Sequence, residues 1–285
     1  MRDQAVGLRK LVNKGQKSNS RVIVVASGKG GVGKTNIAVN LALALRQLDN
    51  CVALIDVDLG LANVDIVLGI TPPYNLGHVF RGEKTLVEII EDGPLGIKLL
   101  AGGSGMSELA NLTGWRLEQF VKSLDELNRE FDFVVLDTGA GIGQNVLSFA
   151  LATDEVLVVT TPEPTAITDA YGLIKVVFQR NPQAQIRLIV NMARNPGEAE
   201  AVAEKLNSVL REYVQREVEY IGYLLDEQQV NRAVGQQVPF LLSYPSSMAS
   251  RSIKRIANIL AGEVPQDAAV GIKGFFSRVY QFFQV

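Results

Sequence analysis

The stretch Gly28-Lys-Gly-Gly-Val-Gly-Lys-Thr35 fits the pattern GxxxxGK[ST], a glycine-rich loop that ends in a lysine and a hydroxyl residue. It follows the apolar run 22–26, which has the composition of a strand, and precedes a helical run that begins at Asn36. Glycines let backbone N–H groups turn inward around phosphate oxygens, and the following helix N-terminus adds partial positive charge. Because strand, loop and helix are in register, the sequence predicts a nucleotide phosphate site rather than a chance glycine-rich turn.

The expected ligand is a nucleotide with Mg²⁺. Lys34 should neutralise the β and γ phosphates, and the Thr35 hydroxyl should bind Mg²⁺. Lys29 has two interpretations, because it could reach the phosphates of a facing subunit or be a solvated loop lysine. The predicted nucleotide contacts in this region are Gly28, Lys29, Gly30, Gly31, Val32, Gly33, Lys34, Thr35 and Asn36.

Three aspartates end apolar runs, at the position where a parallel sheet places ligand chemistry. Asp137 follows the run 133–136 and precedes a glycine-rich loop, so we expect it to hold Mg²⁺ through water. Asp58 is expected to orient the attacking water, and Asp56 to serve the Mg²⁺ shell or the lysine network. For Asp56 and Asp58 a turn or helix-capping role stays open, since aspartate is favoured in both settings.

The order of elements predicts one doubly wound α/β domain, with a mostly parallel sheet covered by helices. Apolar runs at 22–26, 52–55, 97–100, 133–136, 155–160, 186–190 and 218–223 are the predicted strands. Helices are predicted at 36–48, 115–128, 166–178 and 198–215. The predicted domain is 21–262, preceded by a polar segment at 1–20 and followed at 263–285 by a linker and an aromatic helix.

Composition excludes several classes of protein. Of 285 residues, 47% are hydrophobic and 20% charged, as in a globular protein. The net charge of −2 provides no overall field for nucleic acid, so no direct nucleic-acid contact is expected without a local patch. The single cysteine, Cys51, excludes an intramolecular disulfide and is expected to be buried. Without a signal sequence at 1–10 or a spanning stretch of about 18 apolar residues, a cytoplasmic location is expected.

The phosphate loop, the segment Asp56-Val-Asp-Leu-Gly-Leu-Ala-Asn-Val-Asp65 and the segment Asp137-Thr-Gly-Ala-Gly together resemble the MinD/ParA family of deviant Walker ATPases. The resemblance covers about residues 21–262, and the form of the second segment is MinD-like. It implies an ATP hydrolase that dimerises with ATP, with Lys29 crossing to the partner's nucleotide and Asp58 required for hydrolysis. It also implies that Asn191 contacts adenine and that the region around Asp226 closes over the base.

The start of the chain, Asp3-Gln-Ala-Val-Gly-Leu-Arg9, is similar to the activator motif of the FlhG branch of this family, MinD-like regulators of flagellar number. That resemblance implies stimulation of the signal-recognition-type GTPase FlhF, with Gln4 acting in the GTPase site. Asp3, Leu8 and Arg9 would support docking. Flagellar switch (C-ring) proteins are further expected partners. Taken alone, the stretch is equally compatible with a frayed amphipathic helix.

The end of the chain resembles the membrane-targeting helix of MinD. Its apolar residues recur every three or four positions, with two cations placed to meet anionic headgroups. Two such helices in a dimer would bind by avidity, so the protein would lie on the inner face of the cell membrane in its ATP state. Packing of this helix on its own domain stays an alternative. The predicted membrane residues are Ile272, Lys273, Phe275, Phe276, Arg278, Val279, Tyr280 and Phe283.

The sequence therefore predicts an ATP-dependent dimerising switch that binds membrane and regulates flagellum number or placement. Three alternatives share parts of the pattern. A MinD-type septum-site ATPase would leave the start of the chain unexplained, and a ParA-like partition or DNA-associated ATPase would need a basic patch. A non-catalytic binding module is disfavoured by the retained Lys34, Thr35 and Asp137.

Overall fold

The computed structural model describes residues 20–58, 63–102, 120, 122–124, 128, 130–153, 155–262 and 271–283. Its centre is an eight-stranded sheet in the order β3-β4-β2-β5-β1-β6-β7-β8. All pairs are parallel except β3 with β4, which confirms the predicted mostly parallel sheet. The strands are β1 (Arg21–Ser27), β2 (Val52–Asp56), β3 (Glu91–Asp92), β4 (Lys98–Ala101), β5 (Phe133–Ala140), β6 (Glu155–Thr160), β7 (Gln185–Ala193) and β8 (Glu219–Leu225).

Helices cover both faces of the sheet. In chain order they are α1 (Lys34–Arg46), α2 (Val64–Leu68), α3 (Leu76–Phe80), α4 (Gln144–Ala152), α5 (Pro164–Arg180), α6 (Pro196–Val214), α7 (Gln228–Gly235), α8 (Phe240–Ser243), α9 (Met248–Gly262) and α10 (Gly271–Phe283). Short 3-10 turns lie at Val87–Ile89 and Pro94–Gly96. Residues 120, 122–124 and 128 are also helical, within the helix predicted at 115–128.

Two apolar layers hold the helices to the sheet. On one face α1 and α9 pack together over the inward side chains of the strands. On the other face α4, α5, α6 and α10 form a second layer that includes the aromatic residues of α10. Strands buried on both faces carry continuous β-branched and leucine runs, which is why their sequences lack alternation. Strand β1, which precedes the phosphate loop, lies between β5 and β6 at the middle of the sheet.

One sequence expectation about burial is wrong. Cys51 is exposed, because it lies just before β2 rather than inside it. Its backbone joins the neighbouring strand: its N–H donates to an Asp132 carboxylate oxygen at 2.7 Å, and its carbonyl accepts from the Asp132 N–H at 2.8 Å. The residue therefore closes the start of a strand and leaves its side chain in solvent.

The part of the chain that the structure describes contains no helix long and apolar enough to cross a membrane. The amphipathic helix α10 lies against the domain, in the aromatic layer described above. The predicted activator residues Asp3, Gln4, Leu8 and Arg9 lie outside the described residues.

Candidate functional site

The phosphate loop connects the end of β1 to the start of α1, at the carboxyl edge of the sheet. Gly31 and Gly33 have φ angles of 78° and 87°, the left-handed region that favours glycine. A Cβ at Gly28 would lie 2.2 Å from the Asp169 carbonyl oxygen, and one at Gly33 would lie 2.4 Å from Asn191 Nδ2. The loop therefore needs glycine both for its turns and for close packing.

Lys34 and Asp137 face each other at the base of this loop. Lys34 is buried, and burial lowers the pKa of its ammonium group while the nearby Asp137 and Asp58 oppose that shift. Strand pairing places Asp137 beside Val25, one strand away from the loop. The arrangement keeps a cation and an acidic group next to the position that phosphates would occupy.

Asp137 is the most perturbed acid in the site. Its side chain is 1% exposed, and its Oδ1 has no hydrogen-bond partner among the described residues. Burial raises the pKa of Asp137 to about 7, although a hydrogen bond with Thr35 favours the charged form. A buried carboxylate oxygen without a partner, next to a threonine hydroxyl, fits a divalent cation that is completed by phosphate oxygens and water.

This interpretation agrees with the residues around it. Among the described residues no group of three or more His, Cys, Asp or Glu could hold a metal ion. Mg²⁺ in nucleotide sites needs only one or two protein ligands, because the phosphates and waters supply the rest. Thr35 and Asp137 could supply those protein ligands to a Mg²⁺ ion that binds with a nucleotide.

Asp56 has a different environment. Its Oδ1 accepts from the Asp58 N–H at 3.0 Å, and its Oδ2 accepts from Asn63 and Val64 N–H groups at 3.0 and 3.2 Å. Burial raises the pKa of Asp56, while these three hydrogen bonds oppose the shift. The Asp56 carboxylate thus accepts hydrogen bonds from the backbone that follows β2. This is the turn or capping role that the sequence left open.

Asp58 lies beside the end of β5. A Cβ built on Gly139, a residue of that strand, would be 3.1 Å from Asp58 Oδ1, so the carboxylate lies close to the backbone of β5. Strand β2 pairs with β5 in a register that places Asp56 opposite Asp137. Asp58, the predicted water-orienting residue, therefore follows the strand that neighbours β5, which carries the predicted metal ligand Asp137.

Lys29 is held by its own chain. Its Nζ lies 2.5 Å from Glu163 Oε2 and 2.7 Å from Thr165 Oγ1, and its side chain is 36% exposed. Neither interpretation from the sequence included this contact, which lies at the start of α5. A partly exposed ion pair contributes only about 0–1 kcal/mol, so the lysine can be released at small cost.

Glu163 and Thr165 are site residues that sequence reasoning missed. They follow β6, which pairs with β1, so their strand ends at the same edge as the phosphate loop. The run Thr160-Thr-Pro-Glu-Pro-Thr165 at a strand terminus was the available signal. Met192, with a φ of 57° and 41% exposed, is a second omission beside Gly33.

The residues expected near the base lie at the ends of β7 and β8. Asn191 is 8% exposed and donates from Nδ2 to the Val32 carbonyl at 2.8 Å, so it braces the phosphate loop. Asp226 is exposed, and its backbone N–H donates to the Ala193 carbonyl at 2.9 Å. Asn36 is half-buried in the first turn of α1. Contact of these residues with a nucleotide stays a prediction.

The helix α10 covers its apolar face with its own domain. Ile272, Phe275, Phe276 and Val279 are buried, and the Phe276 ring meets that of Phe120 edge-on at 5.3 Å. Of the two predicted headgroup-binding cations, Lys273 and Arg278, Arg278 is exposed and donates to the Ala152 carbonyl at 3.3 Å. Lys273, Tyr280 and Phe283 are half-buried. The self-packing alternative is the state seen here, and its apolar face is closed to a bilayer.

Comparison with known proteins gives a consistent set of relatives. A family model described as ParA, NUBPL iron-transfer P-loop NTPase, matches residues 18–261. The chain is 37% identical to the antiactivator FleN of Pseudomonas aeruginosa over 262 residues, 92% of this chain and 94% of FleN. It is also 37% identical to the flagellum site-determining protein YlxH of Helicobacter pylori over 275 residues, 93% of this chain and 92% of YlxH.

A solved structure agrees with the fold. The septum site-determining protein MinD of Pyrococcus horikoshii, complexed with Mg-ADP, superposes with a TM-score of 0.69 at 23% identity. The match covers 85% of this chain and 96% of that one. The iron transfer in the family description belongs to the protein it names. This chain has a single cysteine, too few for a multi-cysteine iron site.

Proposed function

The chain is a P-loop ATPase of the ParA/MinD family, and from that premise we propose that it is a nucleotide-dependent switch that regulates flagellum number or placement. The observation that carries this proposal is the similarity to FleN and to a flagellum site-determining protein over more than nine-tenths of the chain. The activator-like start, Asp3 to Arg9, supports the same branch and adds the GTPase FlhF as a partner. Flagellar switch (C-ring) proteins are further candidate partners.

In this proposal the phosphate loop binds ATP, and two chains then join face to face. Backbone N–H groups of the loop and Lys34 hold the phosphates, while Thr35 and Asp137 would hold Mg²⁺, which supplies charge neutralisation on the phosphates. The Mg-ADP found in the Pyrococcus horikoshii MinD structure supports this choice of ligand. Because the pKa of Asp137 is raised to about 7, the protein binds the cation more weakly in acid, where the carboxyl is protonated.

Lys29 changes partners when the dimer forms. In the single chain it pairs with Glu163 and Thr165. Release of that weak pair lets the ammonium group reach the facing subunit's nucleotide, where it stabilises charge that develops in the transition state. Asp58 orients the attacking water, so that hydrolysis ends the paired state.

The short loop 141–143 after β5, the strand that carries Asp137, supports a connection between the nucleotide and α10. That loop leads directly into α4, which begins at Gln144 and packs against α10. A shift of the loop on nucleotide binding therefore reaches the surface on which α10 rests. Release of α10 would expose its apolar residues to an anionic membrane on the inner face of the cell, where two helices per dimer bind by avidity.

The test of the flagellar role is GTP turnover by purified FlhF, with and without a peptide of residues 1–20. The matched control is the same peptide with Gln4→Ala. Stimulation that requires Gln4 supports the flagellar regulator and separates it from septum-site and partition relatives. If the peptide leaves turnover unchanged, the FlhF partnership is refuted, and the biological role returns to a choice between flagellar and division-site placement.

A further inference from the structure

One side-chain oxygen joins the two ends of the described domain. Asn128 Oδ1 accepts from the Ser20 N–H at 3.2 Å, from the Ser20 hydroxyl at 2.7 Å and from the Ile272 N–H at 3.2 Å. Ser20 is the residue immediately before β1, where the N-terminal segment joins the domain. Ile272 is the second residue of α10. The two segments outside the ATPase domain thus meet at a single carboxamide.

Each of these donors needs the acceptor. N–H groups in the first turn of a helix have no acceptor within the helix, so Asn128 satisfies the start of α10. Ile272 and Ser20 are both almost completely buried, so water cannot replace the carboxamide while the contact is closed. Gly271, with a φ of 66°, turns the chain into α10 and directs the Ile272 N–H at this oxygen.

Helix α10 also packs against β1, the strand that Ser20 precedes, and against Phe120, whose ring meets that of Phe276 edge-on at 5.3 Å. The junction of Ser20, Asn128 and Ile272 is therefore closed by α10. When α10 leaves, this junction opens to water, and water competes with Ser20 for Asn128 Oδ1.

Two effects on Ser20 oppose each other when α10 departs. A carboxamide oxygen has two lone pairs shared among three donors, so losing the Ile272 donor would tighten the Ser20 contact. Opening of the junction lets water reach Ser20 and Asn128, which weakens the Ser20 contact. The second effect is larger, because the protection of the buried Ser20 amide depends on the exclusion of water, whereas a less crowded acceptor changes only the strength of the hydrogen bond.

We propose that Asn128 is a coupling residue that makes the anchoring of the chain at Ser20 depend on the docking of α10. Departure of α10 frees the junction of the N-terminal segment, and by thermodynamic linkage a partner that pulls on that segment favours departure of α10. This goes beyond the proposed function. Only its consequence, that membrane binding would present the activator segment, rests on that function.

The experiment is hydrogen exchange at the Ser20 and Ile272 amides of the full chain, without nucleotide or membrane. Asn128→Ala should raise exchange at both amides by about tenfold, the change expected from losing one hydrogen-bond acceptor. Asn128→Asp keeps an acceptor and should leave both within about twofold. Asn258→Ala, which removes an exposed asparagine of α9 that donates to the Lys254 carbonyl, is the matched control.

A second arm tests the coupling itself. Phe276→Ala should undock α10 and raise exchange at Ser20 as well as along α10. In the Asn128→Ala background it should have no further effect on Ser20, because the shared acceptor is already gone. Should Asn128→Ala fail to fold, the comparison of Phe276→Ala with the wild type still tests the coupling, with exchange at Ser20 expected to rise.

Three results would overturn the proposal. The first is undocking of α10 by Phe276→Ala with unchanged exchange at Ser20. The second is equal loss of protection in Asn128→Ala and Asn128→Asp, which would mean that side-chain packing rather than the shared acceptor is responsible. The third is a response of only one of the two amides to Asn128→Ala. Because no partner, nucleotide or lipid is present, these outcomes are independent of whether the flagellar role is correct.

Discussion

Replacement of Asp137 by asparagine should stabilise the nucleotide-free protein at neutral and alkaline pH while removing its response to Mg²⁺. The carboxyl group is 1% exposed, and its Oδ1 lacks a partner among the described residues. Burial raises its pKa from the ordinary 3.8 to about 7. Ionising this group in the folded state is therefore costly until a cation arrives.

The magnitude follows from the pKa difference. Below the unfolded pKa of 3.8 the Asp137 carboxyl is protonated in both the folded and the unfolded state, so it does not reduce the free energy of unfolding. As the pH rises towards about 7, only the unfolded chain loses its proton, so stability falls. At about 1.4 kcal/mol per pH unit, the roughly 3 units separating the two pKa values correspond to about 4 kcal/mol. Asparagine, which stays neutral, avoids this loss, although a buried NH₂ without an acceptor would reduce the gain by about 1–3 kcal/mol.

The assay is urea unfolding with a chelator present, at several values between about pH 5 and pH 8. Over that range the wild-type free energy of unfolding should fall by about 3 kcal/mol relative to Asp137→Asn, because about 2 pH units lie below the raised pKa. Asp92→Asn, at an exposed aspartate, should follow the wild type. With ATP and Mg²⁺ the wild type should become the more stable of the two proteins, since it alone keeps the carboxylate that would bind Mg²⁺ with the nucleotide and therefore gains more stability by binding. Parallel pH curves for wild type and Asp137→Asn would refute the reasoning about this carboxyl.

Three further predictions concern the switch. Asp58→Ala should trap an ATP-bound dimer, because the attacking water is no longer oriented. Size-exclusion chromatography after incubation with ATP detects the dimer, and normal ATP turnover by the variant would refute the assignment of Asp58. Glu163→Ala should shift dimerisation to lower ATP concentration, by up to about fivefold for a pair worth 0–1 kcal/mol, and an unchanged midpoint would show that the pair does not restrain Lys29. Phe276→Ala should cost about 3–5 kcal/mol of α10 packing, so exchange along α10 should rise without nucleotide, whereas unchanged protection would place the support of α10 elsewhere.

Much of the fold could be predicted because buried parallel strands have continuous apolar sequences, which are recognisable without a structure. The strand predicted at 186–190 is β7, Gln185–Ala193, and the helix predicted at 198–215 is α6, Pro196–Val214. Helix α4 was missed, because its sequence after the glycine loop is apolar on nearly all sides and carries no helical period. Strand β3 was missed because two acidic residues, Glu91 and Asp92, form a strand only by pairing with β4.

The site was predictable where local sequence carries the chemistry. A glycine-rich loop and an aspartate at a strand end are local patterns, so roles could be proposed for Lys34, Thr35 and Asp137 from the sequence, and their contact with nucleotide and Mg²⁺ stays a prediction. The contact of Lys29 with Glu163 joins residues 134 positions apart, and no local pattern indicates which of the many glutamates is near. The burial of α10 could not be predicted either, because an amphipathic helix has the same sequence pattern whether it faces a bilayer or its own domain.

The central claim, that this ATPase is a nucleotide-dependent switch, is tested most directly by measuring molar mass in solution with Mg-ATP and with Mg-ADP. The comparison uses the wild type and Lys29→Ala, with Lys98→Ala as the matched control, since Lys98 of β4 is also a half-buried lysine in an ion pair, with Asp92. The account predicts a dimer for the wild type and Lys98→Ala with Mg-ATP, a monomer with Mg-ADP, and a monomer for Lys29→Ala in both. A mass that does not depend on the nucleotide, or an undiminished dimer of Lys29→Ala, would contradict it.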